Sequence, residues 1–507
     1  MMSDRTKNPA AGGSVSRRVL LQGTLAIAAA GVGSGLLAAC GEEKPPEEPA
    51  ATAAPATPAA TVETPAATPQ AGPVNFRYVT DHTSGPRGEA MQWGLAQFSQ
   101  TRPNVNVRFV PQPSQYEDVF AIQMAAGTQA EVGMLNGGTF NHFVAAGGFT
   151  QINDVLDKHP DFNPEFWYFN ADSYTVNYEY GQANGELPPQ VMEGPQYGMP
   201  FQGGLNGPAL NLTLAEEYGI EFPSPGWSYE NEFLEGAKQA TNPEKDTWGN
   251  FGVHQSFDFN WGPMMFADGA RSHRNASETE LYVFENGGDT GFQFAVDLIH
   301  KHKVAPPAAI AKEISGEFGD PMTAGKAWVN LWWAGYTGFF IPRIKDRFQW
   351  SLCPQPVGRT GNPGHWWSST GNLVTSAATT FGVVEEAADF SLFTAGPVFQ
   401  DRIAIERGTF PILKSALDRP ETLAAPPEGM KWQKTFMEYE DKKPMMMQLP
   451  NFWEFYEWRN FAELAFIGEK SVDEVVPQML DYARRDLISQ RDQYDQNRQK
   501  LGLPPLA

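Results

Sequence analysis

The segment of residues 74–135 alternates between strand-like and helix-like stretches, and this pattern constrains the fold more than any other feature of the chain. The strand-like stretches are residues 74–79, 105–110 and 131–135. The helix-like stretches are residues 88–100 and 116–126. The order strand, helix, strand, helix, strand predicts an α/β fold, with a parallel sheet that carries helices on its faces.

Two loops follow strands of this predicted sheet. Residues 80–83 (TDHT) follow the first strand, and residues 136–139 (NGGT) follow the third. In open α/β sheets, ligands bind beyond the carboxyl ends of the strands. We therefore expect Asp81, His82 and Asn136 to lie at a ligand site.

The charge of the chain bears on its partners. The formal net charge is -22, and no basic stripe interrupts the body of the chain. An acidic protein of this kind repels phosphate backbones, so nucleic acid is excluded as an expected partner. An anionic ligand is disfavoured for the same reason.

The aromatic content points toward a ligand class. Aromatic residues make up 12% of the chain, and several of its 14 tryptophans lie in glycine-rich stretches such as GHWWSS. Flat rings with a polar edge can stack on the C–H faces of sugars. The alternative for each tryptophan is an ordinary core position.

The amino-terminal residues have the composition of an export signal. Residues 14–40 contain paired arginines, an apolar stretch and the ending Leu-Ala-Ala-Cys, which resembles a bacterial lipobox. We expect residues 1–39 to be a signal peptide of the twin-arginine or the general secretory type, and Cys40 to be lipidated. The following residues, up to 72, are rich in Pro, Ala and Glu and are expected to form a disordered tether. Cys353 is expected to be a buried free thiol with no disulfide to Cys40.

The body of the chain resembles a known family. Residues 196–200 (QYGMP) and the following segment up to 240, with PSPGWSYENEF, resemble a block of the extracellular solute-binding proteins of ABC importers, family 1, the group that includes maltose-binding protein. Further blocks occur in the family's order: GKA at 325–327, PQPVG at 354–358, GTFP at 408–411 and SVDEV at 471–475.

The resemblance implies a type II periplasmic binding protein, in which two discontinuous α/β lobes are joined by a hinge and close on a ligand in the cleft between them. The first lobe is expected to comprise residues 73–199 and 355–413, and the second residues 200–354 and 414–507. The implied function is capture of a small solute, a mono- or oligosaccharide, and its delivery to ABC permease subunits.

The resemblance also implies ligand contacts. The polar candidates are Asp81, His82, Gln202 and Asn206, together with Asn136 from its strand-end position. The aromatic candidates are Phe259, Trp261, Trp333, Tyr336, Trp367, Trp453 and Tyr456.

Other functions remain as alternatives. The same fold could bind a polyamine, a peptide or another non-sugar solute, or the chain could be an adhesive lipoprotein. A secreted glycoside hydrolase would need two carboxylates flanking the bond, and Asp258 or Glu454 would be available. We expect no catalysis, no metal and no cofactor, because nucleophile and metal-ligand motifs are missing from the sequence. The protein is expected to be an exported monomer, held at the outer face of the plasma membrane or in the periplasm.

Overall fold

The structure is a computed structural model that describes residues 72–112, 116–144, 146–168, 195–271, 279–316, 320–333, 337–365, 367–437, 449, 451–500, 502, 504 and 505. Its strands are β1 (Val74–Thr80), β2 (Val105–Pro111), β3 (Val132–Asn136), β4 (Gly198–Asn211), β5 (Trp248–Phe251), β6 (Ala327–Trp333), β7 (Trp350–Leu352) and β8 (Trp367–Val374). They follow the order β2-β1-β3-β8-β4-β6-β5, with β7 also paired to β4.

The first three strands confirm the predicted alternation. β1 is parallel to both β2 and β3, and β8 then adds to β3 in the antiparallel direction. The helices between these strands are α1 (Gly85–Thr101), α2 (Tyr116–Ala126) and α3 (Gly137–Val144). Local periodicity does not reveal that β8 belongs to this sheet, because β8 lies more than 200 residues after β3 in the sequence.

The long strand β4 connects the two halves of the molecule. Its first part, from Gly198 to Leu205, pairs with β8, and the part from Asn206 to Leu210 pairs with β6. A bulge between Pro200 and Gln202 interrupts the pairing with β8. The predicted crossing at the YGMP block therefore coincides with the start of this strand.

The remaining helices cover the two halves. In the middle of the chain they are α4 (Asn153–Leu156), α5 (Leu212–Tyr218), α6 (Leu234–Ala240), α7 (Gly262–Ala267), α8 (Gly288–His300), α9 (Ala308–Ser315) and α10 (Thr337–Ile344). Toward the carboxyl end they are α11 (Ser376–Phe381), α12 (Val384–Ala395), α13 (Pro397–Ile405), α14 (Lys414–Leu417), α15 (Pro420–Leu423), α16 (Lys431–Met437), α17 (Phe452–Phe455), α18 (Glu463–Phe466) and α19 (Val472–Lys500). Within the described ranges, no helix has both the length and the apolar composition that a membrane span requires.

Local sequence fixes where β4 ends and α5 begins. The side-chain oxygen of Asn211, the last residue of β4, accepts a hydrogen bond of 3.1 Å from the backbone N–H of Leu214 and so caps the helix. Gly219 ends the helix with a φ of 67°, which glycine adopts without steric cost.

Two large hydrophobic cores correspond to two lobes. The first core includes Phe76, Met134, Phe390 and Phe410, and the second includes Trp328, Leu331, Trp458 and Met479. The first core draws on residues 76–201 and 374–437, and the second on residues 210–353 and 449–487, so each lobe is discontinuous in sequence. The predicted α/β fold with two lobes is confirmed.

The predicted lobe boundary at residue 413 stays a prediction. Ala416, Leu417 and Phe436 follow that residue and pack in the first core. Residues from Leu449 onward pack in the second core.

Candidate ligand-binding site

Polar residues from neighbouring strands meet at the carboxyl-terminal edge of the first lobe's sheet. Asn136, at the end of β3, lies opposite Thr370 of β8, and Thr370 lies opposite Gln202 of β4. The three residues therefore form one row across three strands. Asp81 and His82 follow the end of β1 at the same edge.

Asp81 and His82 have different environments although they are adjacent. The Asp81 side chain is 46% exposed, whereas that of His82 is 2% exposed and its ring lies edge-on to Phe201 with centroids 5.5 Å apart. Burial raises the pKa of Asp81, and the positive charge of Arg87 opposes this rise. Burial, assisted by Arg87, holds the pKa of His82 well below its ordinary value, so the imidazole is neutral. Asp81 is thus accessible to solvent while His82 is buried, and the ligand contacts of both residues stay predictions.

Gln202 and Asn206 are buried on β4 and have protein partners. The hydroxyl of Thr409 donates a hydrogen bond to Oε1 of Gln202, and Nδ2 of Asn206 donates one of 3.3 Å to the carbonyl of Gly364. The backbone of Gly203 adds a bond of 3.2 Å to the carbonyl of Phe410. These contacts tie the crossing strand to the segments on either side of it.

The backbones of two predicted tryptophans flank the same point of β4. Trp367 on β8 pairs with Leu205, and Trp333 on β6 pairs with Asn206. The rings of Trp333 and Trp367 lie outside the part of the chain that the structure describes, as does the whole of Tyr336. Their ligand contacts therefore stay predictions, although the backbones of Trp333 and Trp367 lie on either side of β4 at the junction of the lobes.

Trp261 is a core residue, contrary to the predicted aromatic platform. It closes a π-helical turn (Phe257–Trp261) and is 2% exposed. Its ring centroid lies 4.6 Å from that of Phe257 and 4.9 Å from that of Phe292. The turn directs both of its terminal rings into the second core because they are four residues apart. No face of Trp261 is open for stacking in this conformation.

Tyr456 is also buried, whereas two other predicted aromatics keep exposed surface. The ring of Tyr456 is fully buried and stacks on Phe452 at 4.9 Å. Phe259 and Trp453 are partly buried and pack at the margin of the second core. Phe259 and Trp453 therefore keep some exposed surface, and their ligand contacts stay predictions.

The structure brings two polar residues to these edges, Thr370 and Asp258, that were not among the predicted ligand contacts. Thr370 has a buried hydroxyl without a hydrogen-bond partner among the described residues, and only the register of β8 reveals it. Asp258 lies in the π-helical turn, where burial raises the pKa of its carboxyl to about 7, against the charge of Arg459. The sequence signal for Asp258 was its place inside the aromatic FDFNW stretch.

A cavity of about 240 Å³ lies elsewhere on the first lobe. Its lining includes Arg102, His159, Trp167, Asp389 and Phe393. Arg102 caps the carboxyl end of α1, whose 17 residues span about 25 Å from the end beside Asp81. This cavity is therefore separate from the strand-end site.

No group of three or more His, Cys, Asp or Glu side chains is arranged to hold a metal ion within the described residues. Cys353 is a buried free cysteine, while the predicted lipidation site Cys40 lies outside the described residues.

Comparison with known proteins identifies the family of this chain. The model of the bacterial extracellular solute-binding protein family matches residues 82–390, more than half of the chain. The chain belongs to this family. The resemblance found in the sequence is thus confirmed, and membership in an extracellular family implies that this solute-binding protein is exported.

Solved structures share the fold of this solute-binding protein. The ABC substrate-binding protein of Listeria monocytogenes in complex with cycloalternan is 16% identical with a TM-score of 0.64, and the match covers 85% of this chain and 99% of that one. The GacH receptor of Streptomyces glaucescens, solved with acarbose, is 15% identical with a TM-score of 0.63, over 82% and 98%. UgpB of Mycobacterium tuberculosis in complex with glycerophosphocholine is 16% identical with a TM-score of 0.62, over 84% and 99%. At these identities the likeness shows the fold.

Proposed function

We propose that this protein captures a mono- or oligosaccharide in the cleft between its lobes and delivers it to the permease of an ABC importer. The observation that carries the proposal is the row of Asn136, Thr370 and Gln202 beside the open carboxylate of Asp81. A carboxylate accepts hydrogen bonds from sugar hydroxyls in charge-assisted pairs. Amide and hydroxyl side chains in the same row can both donate and accept.

The second lobe supports the same ligand class. Phe259 and Trp453 keep ring surface at the margin of the second core, and the backbones of Trp333 and Trp367 flank β4 at the lobe junction. Aromatic faces bind the C–H faces of sugar rings. The solved structures in complex with cycloalternan and acarbose show that this fold accommodates oligosaccharide-like ligands in relatives.

Binding by two lobes connects capture to delivery. A ligand that contacts both lobes stabilises the closed arrangement by its difference in affinity for the two states. The permease then has a distinct shape to recognise. We propose that the protein performs no chemistry on the solute.

A polyamine, peptide or phosphodiester is the alternative ligand within this fold, since UgpB was solved with glycerophosphocholine. The net charge of -22 favours a cation, and Arg87 beside Asp81 disfavours one locally. An adhesive role or glycoside hydrolysis would belong to a different class of function.

Ligand binding is tested by titrating the purified protein while intrinsic tryptophan fluorescence and melting temperature are recorded. The panel comprises maltose, maltotriose and D-tagatose, with spermidine and glycerophosphocholine as non-sugar compounds. We expect a saturable response to at least one sugar. A response to spermidine or glycerophosphocholine alone would overturn the carbohydrate proposal, and release of reducing sugar from maltotriose would overturn the non-catalytic one.

We propose further that Cys40 carries a lipid that anchors the protein to the membrane, with residues 41–72 as the tether. The support is the Leu-Ala-Ala-Cys ending and the Pro-rich composition that follows it. Mass spectrometry of the amino-terminal peptide from the producing cell should detect an acylated cysteine. A Cys40→Ser variant should leave the membrane fraction, and a variant that remains there would contradict the anchor.

A further inference from the structure

We propose that Asp258 and Arg459 form a hydroxyl-binding pair on the second lobe's side of the cleft, where they hold two neighbouring hydroxyl groups of the ligand. This inference rests on the proposed function and narrows it to neutral, polyhydroxylated ligands.

The turn that carries Asp258 lies at a strand-end edge. It follows β5 after a short loop, and Nδ2 of Asn260 donates a hydrogen bond to the carbonyl of Leu331 near the end of β6. β5 and β6 are parallel, so their carboxyl ends lie at one edge of the second lobe's sheet. This is the edge at which α/β sheets bind ligands.

Within the π-helical turn, Asp258 is less buried than the two aromatic residues at the ends of the turn. Phe257 and Trp261 are buried in the second core, while Asp258 and Phe259 between them are only partly buried. Oδ1 of Asp258 is nevertheless shielded from solvent and has no hydrogen-bond partner in the described part of the chain. A buried carboxylate oxygen without a partner is costly, and a ligand hydroxyl would satisfy it.

Arg459 supplies the donor that complements Asp258. Its guanidinium stands 3.8 Å from the ring centroid of Tyr456, and Nη1 donates a hydrogen bond of 3.2 Å to the carbonyl of the same residue. The ring of Tyr456 lies 5.9 Å, between centroids, from that of Phe257, the residue before Asp258, so the guanidinium on Tyr456 is near the turn that carries Asp258. The charge of Arg459 accordingly opposes the effect of burial on the pKa of the Asp258 carboxyl. The stacking on Tyr456 holds the guanidinium in one place.

The chemistry of the pair selects the ligand. In its ionised form, the carboxylate of Asp258 only accepts hydrogen bonds and a guanidinium only donates them, whereas a hydroxyl group does both. Two adjacent hydroxyls can therefore satisfy Asp258 and Arg459 together. A protonated polyamine only donates and would be repelled by Arg459, and a phosphodiester only accepts and would be repelled by Asp258.

The first lobe carries a similar pair. The positive charge of Arg87 acts on Asp81, and Nε of Arg87 donates a hydrogen bond of 3.1 Å to the carbonyl of Gly408. Each lobe thus contributes one carboxyl group and one guanidinium. A ligand with hydroxyl groups at both ends fits this arrangement.

The test compares Asp258→Asn, Arg459→Gln and the wild type in titrations with maltose, maltotriose, D-tagatose and spermidine. Asp118→Asn, a change at an exposed acid on α2, is the matched control. For whichever sugar binds the wild type, we expect Asp258→Asn and Arg459→Gln each to lower the affinity by about tenfold to a hundredfold. We expect Arg459→Gln to improve spermidine binding, an effect that a merely structural loss would not produce.

The outcomes separate this inference from the proposed function. If the wild type binds a sugar and both variants bind it equally well while melting normally, the pair is not a ligand contact and the proposed function stands. If the wild type binds no sugar, both the proposed function and the hydroxyl-binding pair are wrong. If a variant melts early, retention of the wild-type sugar affinity below its melting temperature would overturn the pair, and a loss there would support it.

Discussion

Gly338 and Arg407 approach each other so closely across the two lobes that a Cβ atom on residue 338 would lie 2.1 Å from the carbonyl oxygen of Arg407. Gly338 is the second residue of α10, whose Phe340 packs with Leu352 of the second lobe. Arg407 follows α13, whose Ile403 packs in the first core. Only glycine at position 338 therefore allows the two lobes to contact each other in this way.

We expect Gly338→Ala to destabilise this arrangement. Arg407 cannot move easily, because its side chain donates hydrogen bonds to the carbonyls of Ala404, Glu421 and Ala424. The added methyl group should lower the free energy of unfolding by roughly 1–3 kcal/mol and weaken sugar binding, since it holds the lobes apart. Urea unfolding and fluorescence titration measure the two effects. Gly72→Ala, where nothing lies within 4 Å, is the control, and an unchanged Gly338→Ala protein would contradict the expectation.

The aromatic residues of the second lobe should divide into core and surface roles. Trp261→Ala removes a ring that is 2% exposed and should cost about 3–5 kcal/mol of unfolding free energy. Trp453→Ala removes a partly exposed ring, so we expect a smaller loss of stability and a larger loss of sugar affinity. Chemical unfolding followed by circular dichroism gives the stabilities. The assignment is wrong if Trp261→Ala is as stable as the wild type.

The sequence predicted the first sheet well, because strand alternation and helical spacing are local signals. The observed β1 and β2 differ from the predicted strands by one residue at their carboxyl ends. Local signals could not show that β8 joins β3 and β4, since that pairing unites residues far apart in the chain. The row that includes Thr370 could therefore not be predicted, while Asn136 and Gln202 were each predicted as ligand contacts on other grounds, and those contacts stay predictions.

The same limit explains the errors in the aromatic site. The resemblance to the family implied Trp261 as a ligand contact, and a resemblance between sequence motifs does not define the local backbone conformation. The segment instead forms a π-helical turn, in which residues four apart share a face, so Trp261 joins Phe257 in the core. Tyr456 is buried for a similar reason, because Phe452, four residues earlier, stacks on it.

The thiol of Cys353 should be inert in the folded protein. The residue is fully buried, and burial raises the pKa of its thiol well above the ordinary value, so almost no thiolate forms. In a Cys40→Ser protein, we expect no reaction with Ellman's reagent under native conditions. Full reaction should follow in guanidinium chloride, which serves as the internal control. Rapid labelling of the Cys353 thiol under native conditions would contradict this prediction, because it would show that the folded protein opens around the residue.

The stability of the protein should depend on pH through the carboxyl group of Asp258. Burial raises the pKa of its carboxyl to about 7 in the folded protein, from an ordinary value of 3.8, while Arg459 limits the rise. Between these values the folded protein holds a proton that the unfolded chain has lost, so the contribution of Asp258 to stability is present at low pH and is lost as the pH rises through about 7. Asp258→Asn removes this dependence.

The melting temperature of Asp258→Asn relative to wild type should therefore increase from about pH 4 to about pH 7 and stay constant above that range. Differential scanning calorimetry without ligand measures it, because a bound hydroxyl group would stabilise the charged carboxylate. For Asp118→Asn, a change at an exposed site, the difference in melting temperature from wild type should not increase between about pH 4 and about pH 7 in this way. A constant difference between Asp258→Asn and wild type across the range would mean that the carboxyl group is not held in the buried state that the structure gives it.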